Sequence, residues 1–80
     1  MSNTRTYGPI WIDPERVSGV PCFTDTRVPV QNLFDYIGTG ESIETFLEHF
    51  PSVTRDQALE VVRMAGRFVN LVDRIDEAAA

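Results

Sequence analysis

Cys22 and His49 are the only conventional nucleophile and base in this chain of 80 residues. Thiolate chemistry needs a thiol activated by a basic neighbour or a helix terminus. Cys22 instead stands between Pro21 and Phe23, where a small buried apolar side chain is the plainer reading. His49 falls on the flank of a helical pattern, at the position Tyr36 holds in the preceding one, and reads as a partly exposed contact. One histidine and one cysteine make no zinc site without several carboxylates nearby. Gly38-x-Gly40 is a helix stop rather than a phosphate loop. Every basic residue is arginine, which removes Schiff-base chemistry on a lysine. Neither a cofactor nor a metal is expected, and the chain is expected not to be an enzyme.

Recognition chemistry is better supplied. Arg27 lies in an Asp25-Thr26-Arg27 turn between two extended pieces. Its guanidinium fork suits a carboxylate or phosphate; the plainer alternative is that it pairs with a nearby acid or caps turn carbonyls. Arg63 and Arg67 sit one helical turn apart and could track a nucleic-acid backbone, with Arg55 and Gln57 at the entering end of the same helix. The competing reading is a solvated face with pairs such as Glu60–Arg63. Net charge is −5, and a nucleic-acid reader is usually basic. Residues 31–54 carry Asp35, Glu41, Glu44 and Glu48 with no basic residue. Such a field repels phosphate and favours a basic partner. Glu41, Glu44, Glu48, Asp73, Asp76 and Glu77 are the candidates to meet one.

The elements that must position these groups follow from apolar spacing. Ile10-Trp11-Ile12 alternates as a short strand stopped by Asp13-Pro14, and residues 17–20 and 22–24 read as further extended pieces. Strands so short make no core of their own; they are expected to lie over the helices or to pair with a second chain. A first helix is predicted from near Pro29 to Gly38-Thr39-Gly40, with Val30, Leu33, Phe34 and Ile37 at i, i+3, i+4, i+7. A second runs from near Ser42 to Pro51 on Ile43, Phe46, Leu47 and Phe50. A third opens with the capping box Thr54-Arg55-Asp56-Gln57, Val53 being placed to staple onto Ala58. Tyr7, Trp11, Phe23 and Tyr36 either lid a small core or anchor an interface.

The third helix is the anomaly. Its apolar residues, from Ala58 through Ile75, spread over about half the circumference, wider than one small core can cover. The surplus, mostly beyond Gly66, predicts a homodimer through Met64, Phe68, Leu71, Val72 and Ile75; a kink at Gly66 giving a fourth helix is the other way to use it. A chain this size buries only about 60–65% of its unfolded surface, so a second copy is a natural source of stability. Residues 1–9 are expected to be a flexible N-terminus, 10–75 a single domain and 76–80 a frayed tail. The hydrophobic content of 42% argues against disorder. No apolar run approaches the ~20 residues of a membrane span, no signal pattern opens the chain, and a lone cysteine fits a reducing cytoplasm.

Several of these residues form one constellation: Ile12-Asp13-Pro14, Ser18-Gly19-x-Pro21-Cys22-Phe23, then Thr26-Arg27-Val28-Pro29-Val30. It continues through Ile37-Gly38-Thr39-Gly40-Glu41-Ser42, His49-Phe50-Pro51 and Thr54. This resembles the "domain of unknown function 433" family of small prokaryotic proteins over about residues 10–66, with Gly19, Pro21, Thr26, Arg27 and Pro29 as its most specific positions. The resemblance implies a mainly α, homeodomain-like helix-turn-helix core of three helices with a short N-terminal β element. It also implies an antitoxin-like role in a type II toxin–antitoxin module, neutralising a PIN-like ribonuclease and binding operator DNA as a dimer. A structural or adaptor dimer and a stand-alone transcriptional regulator are the alternatives. The family usually has glycine before Thr-Arg, where this chain has Asp25, a residue that tolerates a left-handed turn.

Overall fold

A computed structural model of the chain describes residues 3–79, with side chains through Val72. Three short strands, β1 (Arg5–Tyr7), β2 (Ile10–Ile12) and β3 (Cys22–Phe23), precede three helices, α1 (Gln31–Gly38), α2 (Ile43–His49) and α3 (Arg55–Ala79). The strands form one antiparallel sheet in the order β1-β2-β3. Arg5 pairs with Ile12 and Tyr7 with Ile10, while Ile10 and Trp11 pair with Phe23 and Cys22. Each strand thus has a partner within the chain, with β1 and β3 at the sheet's edges. Residues 5–7 were expected in the flexible segment, yet the Gly8-Pro9 turn folds them onto β2, with Gly8 at φ +62°. A two-residue connection beginning in glycine is well suited to a hairpin.

Residues 17–19 are not extended, although Val20 is. Arg16, Gly19 and Val20 donate to the carbonyls three residues back, forming tight turns around Val17–Gly19. These local bonds displace ladder pairing. Val17 and Ser18 have φ of 50° and 54°, and a β-branched residue there is strained by about 1–3 kcal/mol.

The helix limits follow local chemistry. Ser42 Oγ accepts from Thr45 N at 3.1 Å to start α2. At the end of α1, Gly40 N donates to Ile37 O and Glu41 N to Tyr36 O, with Gly40 at φ +88°, a Schellman stop. The capping box is reciprocal: Gln57 N donates to Thr54 Oγ1, and Thr54 N to Gln57 Oε1. α3 then runs unbroken for 25 residues, so no fourth helix begins at Gly66.

The core joins Phe23 of β3, Val30 and Leu33 around α1, Phe46 of α2, Val53, and Ala58 and Val61 from the first turns of α3. Ile10, Phe34, Ile43, Leu47 and Phe50 pack around it. Val53 and Ala58 both enter this cluster, as a hydrophobic staple requires. Beyond Val61, α3 leaves the body. The Cα radius of gyration is 14.4 Å, against about 12 Å for a compact chain of this length.

Candidate functional site

The β3–α1 turn is the most tightly held segment. Thr26 is 8% exposed; its hydroxyl donates to Phe23 O at 2.8 Å and accepts from Val28 N at 3.1 Å. Trp11 Nε1 donates to Thr26 O at 2.9 Å, and Gln57 Nε2 reaches from α3 to Thr24 O at 3.0 Å. Cys22 and Pro29 form an isolated bridge, and Val30 N donates to Pro21 O. Asp25 sits at φ +63°, the left-handed conformation that a glycine would adopt there. Pro21, Thr26 and Pro29 therefore build the turn. Thr26→Ala should cost about 1–3 kcal/mol by leaving the half-buried Val28 N–H without its acceptor. Urea unfolding checks this: Thr26→Ser should recover most of the loss, and equal losses for Ala and Ser would refute the hydroxyl's role.

Arg27 is exposed on this rigid turn and has no hydrogen bond or ion pair among the described residues. It neither pairs with an acid nor caps carbonyls among the described residues; Phe23 O, Thr24 O and Thr26 O are taken by Thr26, Gln57 and Trp11 instead. Gln57 is not free to meet a nucleic acid, since its amide is engaged by Thr54 N and by Thr24 O. Its position in the capping box signals the first of these bonds; the second, 33 residues away, has no local signal.

Arg63 and Arg67 of α3 come together on one carboxylate. Arg63 Nη1 lies 3.1 Å from Glu60 Oε2 and Arg67 Nη2 3.0 Å from Glu60 Oε1. Hydrogen bonds from Arg67 and then Arg63 hold the Glu60 carboxyl below its usual range. Arg55 is paired with Glu44 of α2, whose carboxyl is lowered mainly by that hydrogen bond. Pairs of this kind stabilise the fold above the ordinary carboxylate range and are lost as pH falls through the lowered folded values, though exposure and salt make each one weak. Glu41 and Glu48 are exposed without an ion-pair partner among the described residues. Asp73, Ile75, Asp76 and Glu77 have side chains outside the described residues.

Cys22 and His49 have separate partners. Cys22 is buried, donates from Sγ to Val20 O at 3.4 Å, and has its thiol pushed up by burial, which keeps it protonated and unreactive. His49 Nδ1 and the Tyr36 hydroxyl share a hydrogen bond at 2.6 Å. Their rings meet edge-on, and Phe46 and Phe50 complete the cluster. Equivalent flank positions of the two helices thus face one another. Among the described residues, no three His, Cys, Asp or Glu side chains gather as a metal would need, and no helix is long and apolar enough to cross a membrane.

Among the described residues, the most exposed large apolar side chains lie on α3 from Phe68 to Val72. Phe68 is 65% exposed, Val69 63%, Leu71 54% and Val72 48%, while Met64 is half-buried. A smaller apolar depression of about 180 Å³ lies between Val20, Pro21, Val30, Gln31 and Phe34. The family model described as "Protein of unknown function (DUF433)" matches residues 10–65. No curated protein and no solved structure matches the chain.

Proposed function

The chain belongs to the DUF433 family, and on that premise we propose that it is an antitoxin-like homodimer of a type II toxin–antitoxin module. In this reading its core is a homeodomain-like helix-turn-helix, α2 and α3 forming the helix pair. It acts in the cytoplasm by covering a surface of a PIN-like ribonuclease, not by catalysis. The observation that carries the reading is the exposed apolar face of α3 at Phe68, Val69, Leu71 and Val72, with Phe68 at 65%. Monomeric soluble proteins rarely leave so continuous an apolar face open.

The acidic half of the reading rests on Glu41, just before α2, and Glu48, in its last turn, neither of which has an ion-pair partner among the described residues. Carboxylates so placed compete with RNA phosphates for a basic cleft. Glu44 contributes less, because Arg55 already holds it. Operator binding has weaker support. Arg55, Arg63 and Arg67 are all paired with acids of the same chain, so phosphate contact would first break those pairs.

The test is co-expression with a PIN-like nuclease encoded beside this gene. The two should co-elute, and RNA cleavage should stop. The double substitution Glu41→Lys, Glu48→Lys should weaken the complex about tenfold or more, equal to at least about 1.4 kcal/mol. A nuclease that neither co-elutes nor loses activity would overturn the proposal.

A further inference from the structure

We propose that Phe68 of α3 seats in the apolar depression between Val20, Pro21, Val30, Gln31 and Phe34 of a second copy, which returns the contact with its own Phe68. The inference rests on the homodimer reading and adds the site that receives α3. The depression is about 180 Å³, and Gln31 is its one polar side chain. An apolar cavity of about 150 Å³ takes up a benzene molecule, so the depression has the size of one phenyl ring. Phe68 is the one exposed phenyl ring among the described residues. It does not fill the depression of its own chain, because the ring stays 65% exposed. The unbroken α3 carries it about 10 Å past Val61, the last buried residue of that helix among those described.

The backbone beside the depression keeps its rim apolar and open. Val17 and Ser18 hold left-handed conformations at φ 50° and 54°, and Val20 N donates to Val17 O at 3.1 Å. That turn leaves Val17, Val20 and Pro21 exposed together, and strain of this kind persists where a surface is in use. Ile37, one turn after Phe34 on the same face of α1, is exposed as well.

Area and charge favour this seat over a contact between two α3 helices. Phe68, Val69, Leu71 and Val72 together expose roughly 400 Å², about half of the ~800 Å² a side that a stable interface buries. A contact between the two α3 faces buries only that much. A two-fold exchange buries on each copy both its α3 face and its depression, with Val17 and Ile37 at the rim, and draws the remainder from there. Residues 60–72 carry Arg63 and Arg67 against Glu60, a net +1, whereas α1 carries Asp35 and no base, a net −1. The exchange brings unlike charges together, and α3 against α3 brings like ones.

Val20→Lys and Phe68→Asp, alone and mixed, test the seat. Val20 is exposed, so Val20→Lys should keep the native circular dichroism. It sets an ammonium over the depression and should weaken the dimer about tenfold or more. Gln31→Lys, also at an exposed position, probes the same rim from α1 and should do likewise. An equimolar mixture of Val20→Lys and Phe68→Asp chains should recover dimer to within about tenfold of the native affinity. In that mixed pair one seat is native, and the other sets the new lysine beside the new aspartate. Native mass spectrometry with one chain isotopically labelled identifies the mixed pair. If the lysine variants dimerise as the native chain does while Phe68→Asp does not, the seat is overturned and the dimer stands. Failure of the mixture to pair would overturn the seat as well. A native chain of monomer mass would overturn the dimer and this inference together.

Discussion

Phe68→Asp should turn the assembled protein into a folded monomer. The side chain is 65% exposed in the single chain and adds little to its own core, so the substitution should change monomer folding by no more than about 0.5 kcal/mol. At a buried interface position the carboxylate would be desolvated without a partner. A loss of at least about 2.7 kcal/mol, or roughly a hundredfold in dimer affinity, is expected. Light scattering should report half the mass while circular dichroism still shows the helices. Whatever stability the dimer contributes by mass action would disappear with it. An unchanged mass would show that Phe68 lies outside any interface, and the proposed assembly would fall.

Phe46→Ala should have the largest effect on folding itself. Phe46 is 0% exposed and its ring meets Phe23, Tyr36 and Phe50 at centroid separations of 5.9, 5.5 and 5.0 Å. Emptying such a site costs about 3–5 kcal/mol. A chain of this size has about 4–12 kcal/mol to lose, so the variant should be largely unfolded or melt at a much lower urea concentration. Phe46→Leu keeps most of the volume and should lose distinctly less. A Phe46→Ala transition at the native midpoint would mean that this ring does not join α2 to the rest of the core.

The two substitutions separate the two halves of the molecule's apolar surface. Phe46 closes the body and Phe68 extends from it, although both were legible as helix-face residues. The difference is neighbourhood rather than pattern. Ile43, Phe46, Leu47 and Phe50 find the sheet and α1 within one chain, whereas α3 outruns every other element after Val61. That outrunning was readable, because a face half the circumference wide exceeds what two short helices can cover.

Less was readable near the N-terminus. Arg5–Tyr7 has no strong apolar alternation, and its strand exists because the Gly8-Pro9 turn returns it to β2. The turns around Val17–Gly19 follow from a run of local hydrogen bonds that their apolar residues concealed. For the candidate site, the role of Thr26 in building the turn was legible from its neighbours. The commitment of Gln57 to Thr24 and the freedom of Arg27 were not.

Sequence by itself determined where the three helices start, where α1 and α2 stop and how much apolar surface α3 carries, since caps and periodicity act over three or four residues; that α3 runs on through Gly66 was not determined by it. Only the tertiary structure decided which polar groups remain available. Glu44 of α2 takes Arg55 of α3, Gln57 reaches Thr24 O, and Arg27 has no hydrogen bond or ion pair among the described residues. A long charged side chain can reach several partners, and its choice depends on which distant backbone the fold brings alongside.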